Sequence, residues 1–390
     1  MRITYVARSF LDYRVPVLAE LDQISHGKLS FITSDKWSPR RALNRLKTVL
    51  GDRAICLSGE RSLGIDVPAD ANTTVCLPYQ PGLLRAIHST RPEVLVGDGF
   101  FQWTSATLLH RLRKRTPVVV CYERWAHTER NAQWYRRAYR SFALKLVGAV
   151  CCNGRLSEAY VHSLGVPSNR ITKGHMAADT GRLAALRKSV NPVEKERLRL
   201  GWPPAKVVFL YVGQLIKRKG LEPLLRAWEI FERKAPGEAT LVIVGGGPEE
   251  TSLKARVDAA NLRHVIFSGQ VDYDHLVPYY AAADAFVIPT LEDNWSLVVP
   301  EAMSCGLPVL CSKYNGCWPE LVQEGRNGWV FDPLDEQGTT ETLSRAVSHH
   351  AELARMGAQS LAIVSEHSPR RAAQAILSAC ELALDCPCSN

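Results

Sequence analysis

The chain has 390 residues, of which 46% are apolar and 22% charged, and this composition is typical of a globular protein with about two domains. The chain has no apolar run long enough to span a membrane, and residues 1–10 lack the features of a secretory signal. Both observations predict a cytoplasmic protein. The 11 cysteines show no paired metal or disulfide spacing, which predicts reduced core thiols and a frayed tail at Cys386 and Cys388.

The net charge of +9 is unevenly divided along the chain. Residues 1–178 carry 26 Lys and Arg against 13 Asp and Glu, a net +13, and the remainder carries 22 against 26, a net −4. The basic clusters have helical apolar spacing, and the signatures of nucleic-acid modules are missing, so no nucleic-acid partner is expected. Two interpretations stay open: solvated helix faces, or a peripheral surface for anionic lipid at the inner face of the cell membrane. The clusters span 38–50, 110–117 and 134–148.

Short β-type runs alternate with amphipathic helical segments through the first half of the chain. This alternation predicts a parallel sheet with helices on both faces. The predicted strands are 2–6, 29–33, 93–97, 116–122 and 148–152. A charged helical segment after Asp179 then predicts the connection between domains.

The same alternation restarts at KVVFLYVG and predicts a second doubly wound α/β domain facing the first across a central cleft. We expect an N-terminal Rossmann-like domain over 1–180, a C-terminal one over 181–365, and a helix in 366–390 that packs back toward the first. The predicted strands are 206–213, 240–246, 264–269, 285–290, 307–312 and 328–332. Ligands of such sheets bind beyond the carboxyl ends of the strands.

Two loops after these strands have the composition of ligand-binding loops. GQLIKRKG (213–220) places Lys217, Arg218 and Lys219 beside a glycine at a helix start, an arrangement that favours an anion such as a phosphate. VIVGGGPEE (242–250) lets backbone approach a ligand closely, although it lacks the G-x-G-x-x-G dinucleotide fingerprint.

The stretch EDNWSLVVPEAMSCGLPVL (292–310) predicts a loop, a short helix capped by Ser296 and ended by Gly306, and another strand. Glu301 lies inside the helix with its side chain leaning toward the N-terminus, and Asp293 precedes the helix. Together these groups would hold a nucleotide sugar. Asp293 would bind one end of the ligand, the basic loop and the helix start would bind a diphosphate, and Glu301 would bind a ribose.

The order of these elements over residues 206–335 resembles the retaining GT-B glycosyltransferases of family 4, the glycosyl transferases group 1 with a Glu-x7-Glu motif. The resemblance implies that Glu301 binds the donor ribose, that Asp293 takes the first-Glu position and reads sugar hydroxyls, and that Lys219 neutralises the diphosphate. It implies donor contacts from Gly213, Gln214, Arg218, Lys219, Gly245, Gly246, Asn294, Trp295, Ser296, Leu297 and Val298.

Two positions in the second half depart from the family pattern. Gln214 stands where members usually carry Arg, so one diphosphate contact would pass to Lys217 or Arg218. Asp293 is one methylene shorter than Glu, and the adjacent Glu292 could compete for its role.

The first half matches the family poorly. ARSFLDYRVPV (7–17) replaces a Gly-rich loop, and CYERWAHTER (121–130) stands where many members have a His. We expect Glu123 and His127 as catalytic candidates on the acceptor side, with Arg8 and Arg14 next in line.

The sequence therefore predicts a metal-independent retaining glycosyltransferase without a cofactor. It would move a sugar from a nucleoside diphosphate donor to a glycan or lipid-linked acceptor, in cell-surface polysaccharide or glycolipid synthesis. Lys219 would supply the charge that a metal supplies elsewhere, since no Asp-x-Asp pair precedes a suitable loop. Two alternatives stay open: a sugar-phosphate enzyme of the phosphorylase or epimerase type, and a noncatalytic nucleotide-sugar-binding protein.

Overall fold

The computed structural model describes residues 1–63 and 77–385, which form two compact units. The first unit comprises residues 1–177 together with the segment from Pro369 onward, and the second comprises Ala178–Ser368. Cysteines in the described part of the chain are free thiols, and each of them except Cys56 is buried, as expected for core residues. The tail with Cys386 and Cys388 lies outside the described residues, as does Cys76.

The first unit contains a parallel sheet of seven strands in the order β3-β2-β1-β6-β7-β8-β9, and β4 and β5 form a separate antiparallel ribbon. Its strands are β1 (Ile3–Val6), β2 (Leu29–Ser34), β3 (Ala54–Leu57), β4 (Arg61–Leu63), β5 (Leu77–Tyr79), β6 (Val94–Asp98), β7 (Val118–Tyr122), β8 (Ala149–Cys152) and β9 (Ile171–Lys173). Its first helices are α1 (Arg14–Ile24), α2 (Arg40–Leu50), α3 (Leu83–Ser89), α4 (Thr104–Lys114), α5 (Trp134–Leu146) and α6 (Arg155–Ser163).

The second unit contains a parallel sheet of six strands in the order β12-β11-β10-β13-β14-β15. Its strands are β10 (Val207–Val212), β11 (Ala239–Val244), β12 (Val265–Gly269), β13 (Ala285–Ile288), β14 (Val309–Ser312) and β15 (Gly328–Phe331). Its helices are α7 (Thr180–Lys188), α8 (Pro192–Leu200), α9 (Leu221–Lys234), α10 (Glu250–Ala259), α11 (Val277–Ala282), α12 (Val298–Ser304), α13 (Trp318–Leu321), α14 (Glu336–Ser348) and α15 (Leu353–Ser365).

Both sheets have the strand order of doubly wound domains, which confirms the predicted fold class. Strands such as β10 and β11 are buried along their whole length because helices cover both faces of a parallel sheet. In each sheet the winding reverses direction between two central strands, β1 and β6 in the first and β10 and β13 in the second. Ligand sites of such sheets are expected at the carboxyl ends of these strand pairs.

The charged segment after Asp179 is helical and forms the first part of the second unit. Helix α7 packs against α11 and α12, and α8 packs against α11. Asp284 at the start of β13 fixes α8 through an ion pair with Arg199, with 2.7 Å between Nη2 and Oδ1.

A last helix, α16 (Pro369–Asp385), completes the first unit. It packs with α1 and α2 on one face of the seven-stranded sheet, while α3 to α6 cover the other face. The approach is close: a Cβ on Gly148, just before β8, would lie 2.8 Å from the Cβ of Ala383. The first core therefore depends on residues from both ends of the described chain.

Candidate functional site

The loops that follow β10 and β13 are joined by backbone hydrogen bonds at the reversal point of the second sheet. Lys217–Lys219 form a 3-10 turn after β10. The carbonyl oxygen of Arg218 accepts hydrogen bonds from Leu291 N at 2.8 Å and Thr290 Oγ1 at 3.0 Å. The basic triplet and the Asp293 loop are thus one connected structure at the edge where ligands of this fold bind.

Gly220 permits this junction. It has φ +70°, and a Cβ at this position would lie 2.0 Å from the carbonyl oxygen of Pro289. A residue with a side chain would therefore meet both backbone strain and a backbone clash.

The glycines after β11 allow a second close approach. A Cβ on Gly245, at φ +143°, would lie 1.9 Å from the carbonyl oxygen of Gly213. Leu215 N donates to Gly246 O at 3.0 Å, so the two predicted donor-binding loops lie directly against each other. The side chain of Gln214 is exposed, while its carbonyl oxygen accepts a hydrogen bond from Tyr211 at 2.9 Å. The glycine run accordingly has a structural role, and its predicted donor contacts stay a prediction.

Asp293 and Lys219 form an ion pair, with 2.5 Å between Nζ and Oδ2 and side chains only 13% and 12% exposed for Lys219 and Asp293. Ser296 Oγ donates to Asp293 Oδ2 at 2.6 Å, and Trp295 N donates to Oδ1 at 3.2 Å. Burial alone would raise the pKa of Asp293, but the Lys219 ammonium and the hydrogen bonds from Lys219 and Ser296 hold it below its ordinary value. The structure therefore pairs a carboxylate and an ammonium that the sequence assigned to different parts of one ligand.

Ser296 does not cap the following helix, so the predicted N-cap is wrong, while its predicted donor contact stays a prediction. Helix α12 begins at Val298, and the hydroxyl of Ser296 donates to Asp293 instead of accepting a helix N–H. Ser296 N donates to Asn315 Oδ1 at 3.3 Å. Trp295 and Ser296 are buried, whereas Asn294, Leu297 and Val298 are partly exposed.

Asn315 is a site residue that sequence reasoning missed. It is fully buried in the loop after β14, and the backbone on either side of it pairs with Asp293: Asp293 N donates to Tyr314 O at 3.2 Å and Gly316 N donates to Asp293 O at 3.1 Å. The available signal was its position in KYNGCW, immediately after a strand of the same sheet. This loop fixes the Asp293 backbone from the β14 side.

Glu301 is the fourth residue of α12 and is only 5% exposed. Tyr280 on α11 donates its hydroxyl to Glu301 Oε2 at 3.1 Å. Burial raises the pKa of Glu301 to about 7, although hydrogen bonds from Tyr280 and Tyr273 lower it. Sequence reasoning missed both tyrosines, because YDHLVPYY reads as an ordinary amphipathic segment.

The first unit has a cavity of about 300 Å³ at the carboxyl ends of β1, β6 and β7. Arg14 crosses it, with Nη1 2.9 Å from Asp98 Oδ1 and 3.2 Å from the Tyr5 hydroxyl. Aromatic and charged side chains line the cavity, among them Tyr13, Arg14, Asp98, Phe101, Glu123 and Arg140. The cavity thus occupies the reversal point of the first sheet, as the basic loop does in the second.

Of the four residues suggested for the acceptor side, Glu123 and Arg14 line this cavity. His127 is not among the lining residues; its ring lies against Trp125, 5.2 Å between centroids. Arg8 is engaged by Glu60, with 2.7 Å between Nη2 and Oε1. The structure therefore brings together half of the sequence-predicted acceptor set.

The segment that carries Glu123 is anchored by a buried ion cluster. Glu129 pairs with Arg140, which has no exposed surface, and with Arg124 at 3.3 Å. Arg140 also stacks on Phe101, 5.2 Å from its ring centroid. Removing one partner of such a buried pair is strongly destabilising, so this cluster fixes the cavity wall.

Across residues 1–63 and 77–385, no cluster of three or more His, Cys, Asp or Glu side chains has the geometry to hold a metal ion. In the same ranges, no helix combines the length and apolar character needed to cross a membrane.

Comparison with protein families matches both halves of the chain. The model of the glycosyl transferases group 1 matches residues 192–361, and that of the glycosyl transferase 4-like domain matches residues 51–172.

Curated relatives match over part of the chain. The GDP-mannose-dependent alpha-(1-6)-phosphatidylinositol monomannoside mannosyltransferase of Mycolicibacterium smegmatis is 32% identical over 171 residues, which are 42% of this chain and 44% of that protein. A sulfoquinovosyl transferase of Arabidopsis thaliana is 32% identical over 202 residues, 48% of this chain and 38% of that protein. The chain thus spans less than half the length of either relative.

Solved structures match over nearly the whole chain. Anabaena HepE in complex with UDP and glucose has a TM-score of 0.73 at 18% identity, covering 97% of this chain and 98% of that one. A glycosyltransferase from Rickettsia africae has a TM-score of 0.74 at 11% identity, covering 98% of both chains. At such low identity these likenesses establish the fold, which is GT-B.

Proposed function

The chain belongs to the GT-B glycosyltransferases of family 4, the glycosyl transferases group 1, and from that membership we propose that it transfers a sugar, with retention, from a nucleoside diphosphate sugar to a glycan or lipid-linked acceptor. The observation that carries the proposal is the grouping of Lys219 and Asp293, with Glu301 on the following helix, at the reversal point of the second sheet.

Each of these residues has a role suited to its surroundings. Glu301 is buried beside tyrosines, and its ionised carboxylate accepts hydrogen bonds from the ribose hydroxyls. Lys219 faces the diphosphate and stabilises the charge that grows on the leaving group, as a metal ion does elsewhere. Asp293 accepts a hydrogen bond from a sugar hydroxyl. In line with the family resemblance, the departing phosphate takes the proton of the attacking acceptor hydroxyl. In this proposal neither a metal nor a cofactor is required.

The relatives and structural neighbours point to nucleotide sugars as donors but differ in the base. One relative is GDP-mannose-dependent, and one neighbour was solved with UDP-glucose. The test is thermal stabilisation of the purified protein by a panel that includes both, since a ligand that prefers the folded state raises the melting temperature. Stabilisation by at least one nucleotide sugar is expected, and stabilisation by none of them contradicts the proposal.

The acceptor group is assigned to the cavity of the first unit. Glu123→Gln is expected to lower turnover far more than donor affinity, because Glu123 lines that cavity. His127→Ala is expected to have a milder effect, since its ring packs on Trp125. Unchanged turnover in Glu123→Gln would place the acceptor elsewhere.

A peripheral position on an anionic membrane, at the cytoplasmic face, also belongs to this proposal, and α5 supports it better than α2. Trp134 and Phe142 on α5 are 80% and 57% exposed, and the helix contains no acidic residue. The surface of α5 carries the basic residues Arg136, Arg137 and Lys145. Helix α2 buries its apolar residues apart from the half-buried Val49, and its exposed residues are all polar. Exposed aromatic and basic side chains together are typical of interfacial helices. Such a position suits a lipid-linked acceptor of surface polysaccharide or glycolipid synthesis.

Acceptor dependence separates this function from its alternatives. A transferase releases nucleoside diphosphate when an acceptor is added, whereas a phosphorylase or epimerase acts on phosphate or on the nucleotide sugar alone. A noncatalytic binding protein would bind the donor saturably without transfer to any acceptor.

A further inference from the structure

Trp37, in the loop after β2, is an exposed side chain held in one position. The residue is 44% exposed, yet its Nε1 donates to Glu60 Oε1 at 2.7 Å. The guanidinium carbon of Arg8 lies 4.3 Å from the ring centroid, a cation–π contact. An exposed indole with this much support is preorganised for contact with something outside the chain.

Glu60 is the centre of this support. Its carboxylate is 1% exposed and accepts from Arg8 Nε at 2.9 Å and from Trp103 Nε1 at 2.9 Å, besides the bond from Trp37. Burial would raise the pKa of Glu60, but the bonds from Arg8 and the two indoles hold it below its ordinary value. A buried carboxylate with so many donors keeps its charge and its place.

We call Glu60 and its three partners, Arg8, Trp37 and Trp103, the clamp. Two of the loops that carry the clamp also line the cavity of the first unit. Arg8 precedes Ser9, and Trp103 follows Gln102, and both Ser9 and Gln102 line the cavity. The four residues of the clamp follow β1, β2, β3 and β6, so they lie at the carboxyl edge where this fold binds ligands.

We propose that Trp37 is a stacking platform for a neutral sugar ring of the acceptor, an inference that rests on the proposed transferase function. The C–H face of a sugar ring carries partial positive charge and packs on the negative face of an indole. A rigid aromatic side chain loses little conformational entropy on binding.

A neutral ring suits this site because the neighbouring guanidiniums already have carboxylate partners. Arg8 pairs with Glu60, Arg14 with Asp98, and Arg140 with Glu129. Lys36 Nζ lies 5.0 Å from the Trp37 ring centroid, so a phosphate held by Lys36 is the rival occupant. The experiment separates the two.

The direct test is fluorine NMR of the full chain labelled with 5-fluorotryptophan. The chain has nine tryptophans, and Trp37→Phe assigns the Trp37 signal by its loss. Methyl glycosides and disaccharides of glucose, mannose and galactose are titrated, with inorganic phosphate and phosphatidylglycerol vesicles in parallel. We expect a saturable shift of the Trp37 signal with a neutral sugar and none for Trp228, which is fully buried in the second unit. No shift with any sugar, or a shift with phosphate or vesicles alone, overturns the proposal.

Kinetics with the glycoside that shifts Trp37 most give the second test. Trp37→Ala is expected to raise the acceptor KM about two- to tenfold with kcat and nucleoside diphosphate affinity unchanged, the range of one aromatic contact. Trp37→Phe should recover part of this loss and guards against misfolding of the alanine variant. Glu60→Gln, which leaves the indole in place, should move the Trp37 signal before any sugar is added. An unchanged KM in Trp37→Ala overturns this inference alone, whereas absence of all nucleotide-sugar binding overturns the proposed function.

Discussion

Glu301 is a carboxyl group whose charge depends on pH in the physiological range. Burial raises its pKa to about 7, so it is mostly protonated at pH 6 and mostly ionised at pH 8. If ribose hydroxyls donate to the ionised form, as proposed, nucleoside diphosphate affinity should rise up to about tenfold over this range. Calorimetry measures it, and the ratio of wild-type to Glu301→Gln affinity removes the titration of the phosphate itself. A pH-independent ratio would contradict the ribose assignment.

The same carboxyl group predicts a stability effect without any ligand. A folded-state pKa above the ordinary 4.5 means that stability is fully present below pH 4.5 and is lost as pH rises through 7. The loss amounts to roughly 3 kcal/mol, which Glu301→Gln avoids because it cannot ionise. The variant should therefore gain in urea midpoint over the wild type between pH 5 and pH 8. An equal difference at both pH values would show that Glu301 titrates normally.

Because Asp293 is paired with Lys219, a substitution at Asp293 should affect the binding of a diphosphate as well as the transfer of the sugar. A diphosphate bound at Lys219, as proposed, would share the ammonium with Asp293 and would also meet the charge of that carboxylate. We expect Asp293→Asn to bind nucleoside diphosphate severalfold more tightly while sugar transfer falls at least tenfold. Calorimetry and transfer assays on one preparation separate the two effects. Weaker binding in Asp293→Asn would mean that Asp293 serves to position Lys219.

At the scale of elements, the junction between the basic loop and the Asp293 loop depends on Gly220. Gly237 offers a matched control, since it has φ +75° against +70° for Gly220, and a Cβ on it would meet nothing closer than His264 at 3.9 Å. Gly237→Ala should cost about 1 kcal/mol of folding free energy for the left-handed backbone. Gly220→Ala should cost roughly 1–3 kcal/mol more, because its Cβ meets the Pro289 carbonyl.

Chemical denaturation gives the free energies of unfolding of the two variants. The affinity for nucleoside diphosphate reports on Lys219, which directly precedes Gly220. Gly220→Ala should lose affinity while Gly237→Ala keeps it. Equal costs and equal affinities in the two variants would show that the loops move apart without consequence.

At the scale of the whole molecule, the charge asymmetry predicts binding to acidic vesicles through α5. Sedimentation with phosphatidylglycerol vesicles should occur, weaken as salt rises, and fall further in the double variant Trp134→Ala, Phe142→Ala. Leu200→Ala with Leu334→Ala removes two exposed apolar side chains from the second unit and serves as the control. Equal binding to neutral and acidic vesicles would leave the basic helices as solvated surfaces.

Much of the architecture follows from the sequence, because buried parallel strands are continuous apolar runs. Strand β10, VVFLYV, is of this kind and was predicted. Strands β3 and β9 were missed because ICL and ITK are short and partly exposed. The Asp293 and Glu301 spacing could be read from one loop and one helix, whereas Asn315 and Tyr280 reach them from distant segments. The clamp on Trp37 likewise joins four loops that are distant in sequence, and a local sequence pattern cannot predict such a contact.

Helix α16 has a consequence for the order in which the chain is made. Its residues from Ala372 to Ala383 complete one face of the first unit beside α1 and α2, yet a ribosome reaches them only after the whole of the second unit. Until then part of one apolar face of the earlier-synthesised sheet stays uncovered, while the later-synthesised unit has all of its own segments and can fold first. A chain stopped at Ser368 would hold a complete second unit and a first unit that lacks part of its core.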